Sequence, residues 1–410
     1  MARYQLRCRA CGASGPADDR HTCGECLGPL EVVYGEDLPS GQGLRSEIES
    51  GPRSIWRYGR LLPLDHVDDP GHVGWTPLVR AERLGRAIGV GRLFLKNDTV
   101  TPSFSFKDRV VAVAAAKAVE FGYDTLACAS TGNLAGAVAA AAARLGLRAV
   151  VFVLASIEPA KLAAPAIYGA QLVEVDGTYD DVNRLVAQVA DERHWAFVNF
   201  TLRPYYTEGS KTLLFETAEQ LGWRLPDAIV IPVASGALFV NTAKAARELV
   251  QYGLVPDTSV GLFGAQPAGC APVASAYERG DERCTPVRHP ATVAHSLAIG
   301  SPADGNAVLR LARTGGAVAA AQDDEILEAI RLTARTEGIF VEPAAGTTVA
   351  CVARLAREGA FAPGATVVAY LTGNGFKTAD VASPAVSSAI RIAPRLADFL
   401  DAFETAKEAA

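Results

Sequence analysis

From Leu126 the chain reads Leu126-Ala127-Cys128-Ala129-Ser130-Thr131-Gly132-Asn133-Leu134, then runs through an Ala-rich stretch to Leu145-Gly146. The first four residues are a short apolar run and predict a buried strand. Ser130 to Asn133 is a small polar turn. Leu134 to Leu145 predicts a helix, with Gly146 suited to its stop. Ala149 to Leu154 predicts the next strand. A strand–turn–helix–strand unit of this kind joins parallel strands, with the helix covering one face of the sheet.

The alternation continues on both sides. Upstream, Leu93 to Leu95 predicts a strand and Val110 to Phe121 a helix ending at Gly122. Downstream come helix Pro159 to Tyr168, strand Gln171 to Val175, helix Tyr179 to Ala190 and strand Ala196 to Phe200. A second set follows: helix Thr207 to Leu221, strand Ala228 to Val233, helix Val240 to Gln251 and strand Val260 to Ala265. Helices Asp323 to Glu337 and Thr347 to Arg357 and strand Thr366 to Tyr370 complete it. The expectation is an α/β protein of two doubly wound parallel-sheet domains with a cleft between them. The expected divisions are a Cys-bearing segment 1–35, an N-terminal α/β domain 36–205, a C-terminal α/β domain 206–385 and a tail 386–410.

Composition narrows the function. The chain has 410 residues, 39 Lys+Arg and 45 Asp+Glu, a net charge of −6. That mild acidity argues against nucleic acid as a partner. The longest apolar run, Leu134 to Ala143, is far short of the ~20 residues that span a bilayer. No apolar h-region opens the chain, so neither a membrane partner nor secretion is expected, and a cytoplasmic location is the simplest reading.

Four of the eight cysteines, Cys8, Cys11, Cys23 and Cys26, form two C-x2-C knuckles with 11 residues between them. Four thiolates so spaced suit structural Zn²⁺ in a zinc-ribbon-like segment, with redox dithiols as the alternative. Cys128, Cys270, Cys284 and Cys351 read as core or surface thiols.

Ligands of open α/β sheets sit at the carboxyl ends of strands. Three strand-to-helix turns there are small and polar: Ser130 to Asn133, Ala234-Ser235-Gly236-Ala237-Leu238, and Thr372-Gly373-Asn374-Gly375. Such turns offer backbone N–H groups to phosphate or carboxylate. None matches a dinucleotide or P-loop fingerprint. The fourth piece is Ser103-Phe104-Ser105-Phe106-Lys107-Asp108-Arg109. It places Lys107 in the first turn of a helix, an unfavourable place for an ammonium and a suitable one for a nucleophilic amine. A surface lysine paired with Asp108 is the alternative reading; Lys96 carries the same ambiguity.

Together these residues resemble the threonine synthases, in the fold-type-II family of pyridoxal-phosphate enzymes. The marks are Thr76-Pro77-Leu78, Leu95-Lys96-Asn97-Asp98, Ser105 to Arg109, Ser130 to Asn133, Gly209-Ser210-Lys211-Thr212, Gly338-Ile339-Phe340-Val341-Glu342-Pro343 and Leu371-Thr372-Gly373. The resemblance implies a tryptophan-synthase-β-like architecture. It implies that Lys107, with Phe106 beside it, holds pyridoxal 5'-phosphate and later moves protons. Ser130, Thr131 and Asn133 would hold the substrate carboxylate, with Asn133 also at the cofactor's ring hydroxyl. Ala234, Ser235, Gly236, Ala237 and Leu238 would cradle the cofactor phosphate, and Thr372 would bond the pyridine nitrogen. Lys96 and Arg203 would join the substrate site. The implied partner is a small amino-acid phosphate, and a homodimer is expected because the family often dimerises. The implied reaction takes O-phospho-L-homoserine and water to L-threonine and phosphate.

Departures concentrate on the substrate side. Phe200-Thr201-Leu202-Arg203-Pro204-Tyr205-Tyr206 stands where Ser, Asn and Arg usually meet the substrate phosphate. Phe104 stands where Gly is usual, and Asn374 where His is common. These leave open a β-replacement or β-elimination enzyme resembling cysteate synthase or a threonine/serine dehydratase.

Overall fold

The computed structural model describes residues 3–35, 38–65, 71–130, 132–156, 159–256, 259–382 and 390–408. Its strands, in chain order, are β1 (Tyr4–Cys8), β2 (Ser14–Gly15), β3 (Leu30–Tyr34), β4 (Leu78–Arg80), β5 (Arg92–Asn97), β6 (Thr125–Ala129) and β7 (Arg148–Leu154). These are followed by β8 (Gln171–Val175), β9 (Ala196–Phe197), β10 (Ala228–Pro232), β11 (Gly261–Pro267), β12 (Ala317–Ala321) and β13 (Thr366–Leu371).

Three sheets result. One is four-stranded, β8-β7-β6-β9, and wholly parallel. One is six-stranded, β12-β11-β10-β13-β5-β4, parallel except for the antiparallel edge strand β4. The third is the small antiparallel ribbon β2-β1-β3. β6, β10 and β13 are buried along their whole length, the pattern of strands covered on both faces. β1 alternates buried and exposed residues, as a one-sided sheet should. The two large sheets are the parallel α/β arrangement expected from the sequence.

Chain order does not divide the large sheets at one point. β5 pairs with β13 from Thr366↔Arg92 to Leu371↔Asn97, so an early strand completes the late sheet. The carboxyl ends of β5, β13 and β10 therefore lie side by side.

Two expectations need correction. The single helix expected over Thr207 to Leu221 is two, Arg203–Glu208 and Lys211–Gln220. Gly209 lies where a Cβ would meet Arg109 O and Val110 Cα at 2.5 and 2.6 Å, so the chain bends to pack on helix Lys107–Glu120. The Ala196 to Phe200 strand shortens to two residues because the chain then turns, Phe200 N donating to Phe197 O.

The ribbon is fastened to the body. Tyr34 donates to Glu208 (2.8 Å), Lys117 to Tyr4 (2.6 Å), Tyr205 to Asp18 O and Tyr123 to Asp19. Through Lys377 the chain forms one compact unit. From Thr378 a second unit contains helices Ala379–Ala382 and Leu396–Glu408. No helix among the described residues is long and apolar enough to cross a membrane.

Candidate active site

Lys107 opens helix Lys107–Glu120. Among the described residues its Nζ has no hydrogen-bond or ion-pair partner; it lies 5.5 Å from the Phe106 ring centroid and 6.0 Å from that of Tyr206. The Asp108 carboxylate does not pair with it. Asp108 instead accepts from Ser103 N and Oγ, both at 2.7 Å, and so anchors the loop before the lysine. That disposes of the pairing with Asp108 and leaves an amine without a partner among the described residues.

The turn after β13 closes on this loop. Phe106 N donates to Thr372 O (2.8 Å), and Ser105 bridges Gly373. Ser105 is fully enclosed, and its Oγ has no partner among the described residues. Glu342 N donates to Gly373 O, and the Glu342 carboxyl packs where a side chain on Gly373 would stand. Asn133, the first residue of helix Asn133–Leu145, donates from Nδ2 to Glu342 Oε2 at 2.8 Å. Burial pushes the Glu342 carboxyl up from its ordinary range; the Asn133 hydrogen bond, the Lys377 and Lys107 charges and the Thr372 hydroxyl oppose that. Asn133, Glu342 and Thr372 thus gather beside the lysine loop.

The turn after β10 lies at the carboxyl end of the strand next to β13. Gly236 caps helix Ala237–Gln251 at φ +93, and a Cβ there would come within 2.8 Å of Val308 and 2.9 Å of Asp304. Ser235 O accepts from Asp304 N at 2.8 Å, and Ala237 N points at Ser235 Oγ (3.5 Å). Ala234 to Leu238 therefore forms a turn, at a helix N-terminus, that tolerates no side chain at its centre. Ser130 Oγ accepts from Gly132 N at 3.3 Å; Thr131 lies outside the described residues.

Arg203 Nη2 donates to Asp304 Oδ2, and Arg9 Nη1 to Asp304 Oδ1, both at 2.8 Å. Arg203 thereby stands next to the turn after β10, and one helical turn before Tyr206.

Lys96 does not belong to the site. Its Nζ donates to Glu216 Oε2 (2.7 Å), Thr76 O (2.8 Å) and Gln220 Oε1 (3.1 Å), which uses all three protons. It joins a sealed network in which Arg109 clasps Asp98 and Glu216 at 2.6 Å each. Burial raises the Glu216 carboxyl, but Arg109 and Lys96 outweigh it and hold it at about 2.

The four knuckle cysteines converge, their Sγ atoms within 4.8 Å of one another. Cys8 and Cys26 are 3.5 Å apart, and Cys11 and Cys23 3.7 Å. A zinc tetrahedron with ~2.3 Å bonds has edges of roughly 3.8 Å, so the set fits that ion. Gly28 is required there, since a Cβ would meet Cys8 Sγ at 3.0 Å and Cys26 Sγ at 3.1 Å. Backbone N–H groups of Cys11 and Ala10 point at Cys8 Sγ and hold that thiol well down, at about 6. The cluster can bind zinc. Four protein thiolates would leave such an ion no open coordination position.

Sequence reasoning did not single out the roles of Glu342, Tyr206, Asp304 and Arg9. Glu342 was visible only as part of a motif; the others carry no local signal.

An amine and, two residues before it, a hydroxyl, each without a partner among the described residues, and a glycine-centred turn at a second helix start suit a phosphorylated aldehyde cofactor. These are features of a pyridoxal-phosphate enzyme. Comparison agrees: residues 70–373 match the family described as "Pyridoxal-phosphate dependent enzyme". The threonine synthase of Methanosarcina acetivorans is 35% identical over 377 residues, 91% of this chain and 92% of the relative. That of Methanocaldococcus jannaschii is 33% identical over 394 residues, 94% and 96% of the two chains. A solved threonine deaminase, from T.th., superposes with a TM-score of 0.59 at 25% identity, covering 73% of this chain and 92% of its own. Maize serine racemase gives a TM-score of 0.61 at 20% identity, covering 81% and 92%, and bears on the fold alone. This chain belongs to the pyridoxal-phosphate dependent enzyme family. Its relatives place it among the lyases of that family, beside the threonine synthases.

Proposed function

We propose that the chain converts O-phospho-L-homoserine and water to L-threonine and phosphate. The observation that carries this is the Lys107 amine, without a partner among the described residues, on a loop beside which Thr372, Glu342 and Asn133 gather. Threonine synthases matching nine-tenths of the chain support it.

Lys107 Nζ would hold the cofactor, and then carry protons between the substrate carbons. Backbone N–H groups of Ala234 to Leu238 would hold the phosphate of the cofactor. Asn133 Nδ2 has a second proton beyond the one given to Glu342, which it would donate to the ring hydroxyl. Thr372 would meet the pyridine nitrogen. When bound, the cofactor supplies the electron sink for loss of protons at Cα and Cβ. Ser130, Thr131 and the start of helix Asn133–Leu145 would take the substrate carboxylate. Arg203 would face the leaving phosphate. The Cγ–O bond would break, phosphate would depart with the electron pair, a proton would reach Cγ, water would add its oxygen at Cβ and release a proton, and Cα would regain its proton.

Purified, cofactor-loaded protein should release threonine and phosphate in equal amounts from O-phosphohomoserine. Borohydride reduction should place the pyridoxyl label on Lys107, and Lys107→Ala should remove both label and turnover. Loaded enzyme that yields neither product would sink the reading.

One observation favours a second reading. In the stretch before Tyr206, Leu202 is buried and the Phe200 ring lies against His21 at 4.6 Å, so Arg203 is left as its charged anion donor. That donor is already shared with Asp304, which makes this stretch a weaker fit to the leaving phosphate of O-phosphohomoserine. A panel of O-phosphoserine with sulfite, and of threonine or serine, tests this β-replacement or β-elimination alternative.

A further inference from the structure

The N-terminal ribbon reaches Asp304, beside the turn after β10, through the Arg9 side chain. Arg9 lies inside the first knuckle, between Cys8 and Cys11. Its backbone is fixed there, Arg9 N donating to Pro29 O (3.0 Å) while Cys8 N donates to Ala13 O (2.8 Å). From this platform the guanidinium crosses to Asp304 Oδ1 at 2.8 Å.

Asp304 is not a distant anchor. Its N–H donates to Ser235 O (2.8 Å), and its Cβ would meet a Cβ on Gly236 at 2.9 Å. It therefore packs against the turn that cradles an anion in the reading above. A lone carboxylate so placed would repel phosphate. Here its two oxygens are divided between Arg9 and Arg203, and the group of three carries one net positive charge. The arginines keep 27% and 32% of their side-chain surface, and Asp304 keeps 9%. Charge-assisted bonds of this length are strong and directional, so they also fix where the Asp304 backbone stands.

We propose that Arg9 is a positioning residue for the Ser235–Gly236 turn. By holding and neutralising Asp304 it sets how tightly the turn grips a phosphate, and so gives the ribbon a part in cofactor retention. The proposal rests on the reading of Ala234 to Leu238 as the turn for the cofactor phosphate.

The test measures dissociation constants of the full chain for pyridoxal phosphate and for pyridoxal, which lacks the phosphate. Arg9→Gln should weaken pyridoxal phosphate about tenfold, the size of one lost charge-assisted bond, and leave pyridoxal within about twofold. Arg9→Lys should restore most of the preference. A variant that merely loosened the fold would weaken both ligands alike, and that outcome overturns the proposal. If Arg9→Gln does not yield folded protein, Arg203→Gln removes the other Asp304 contact and should lower the same ratio. Gly236→Ala is measured beside them. If it leaves the ratio untouched, the reading of the turn has failed and the proposal goes with it. If it lowers the ratio while Arg9→Gln does not, the strut alone is refuted.

Discussion

Arg109 and Arg203 both clasp carboxylates, yet they stand in opposite relations to water. Arg109, Lys96, Glu216 and Asp98 retain 0–1% of their side-chain surface, and their two positive charges balance two negative ones. Thr76, Thr212 and Gln220 satisfy remaining donors and acceptors. Such a network has nothing to offer a ligand. It ties β5 to helices Lys107–Glu120 and Lys211–Gln220, and so holds the lysine loop from behind. Arg203 and Arg9 share one carboxylate, keep about a third of their surface and leave a positive excess. Charge balance and access to solvent, more than residue type, separate scaffold from site.

The largest expected effect attacks the sealed side. Glu216→Gln leaves two buried cations to one carboxylate, Asp98, and should cost about 3–5 kcal/mol in urea unfolding. Arg203→Gln, at a partly open cluster, should cost less than ~1 kcal/mol. Equal losses would erase the distinction. Acid titration gives the same contrast. The Glu216 carboxyl falls from an ordinary 4.5 to about 2 on folding, so its contribution is complete above 4.5 and is lost as pH drops toward 2. Glu216→Gln should flatten stability across that window.

A middle-sized effect is expected at the ribbon. Cys26→Ser should lower the zinc content from one ion per chain to none and destabilise by roughly 2 kcal/mol. Amide exchange should quicken between Cys8 and Leu27, while amides bonded in the β1–β3 ladder stay protected, because the buried Tyr34 hydroxyl bond to Glu208 pins β3 to the body. Loss of protection at both would mean the metal, and not those body contacts, holds β3.

Glu342→Gln sharpens the comparison within the site. A buried carboxyl with a raised titration point makes the fold less stable as pH climbs above 4.5 and through that point. Glutamine cannot ionise, so the variant should be at least as stable at pH 8. It no longer dictates which way the Asn133 amide faces, and affinity for pyridoxal phosphate should fall up to about tenfold. Unchanged affinity would show that the carboxylate does not orient Asn133.

What could be read in advance followed from how local each signal was. The βαβ alternation and the Lys107, Ser130 to Asn133 and Thr372 turns are written in short contiguous runs. β12 was missed because Ala317–Ala321 is mostly alanine, a residue with little strand preference. Lys96 was misplaced because its three partners come from residues 76, 216 and 220, which only folding brings to β5. Glu342 and Asp304 act through Asn133, Gly373, Arg9 and Ser235, contacts that span tens to hundreds of residues. The break at Gly209 likewise depends on the backbone of another helix.

The smallest effect concerns a residue that departs from its family's habit. Phe104 adopts φ +63 and leaves 53% of its surface exposed. Its N–H donates to Thr101 O and its carbonyl accepts from Asn374 N, so the loop demands this left-handed geometry whatever the side chain. Glycine reaches it without the steric penalty that a Cβ meets, a penalty of about 1–2 kcal/mol. Against that stands glycine's greater freedom in the unfolded chain, about 0.4–1 kcal/mol. The exposed ring contributes little burial to lose. Phe104→Gly should therefore stabilise the chain by somewhat under ~1 kcal/mol and leave pyridoxal phosphate binding unchanged. A clear loss of stability would mean that the Phe104 ring makes a contact worth more than the strain.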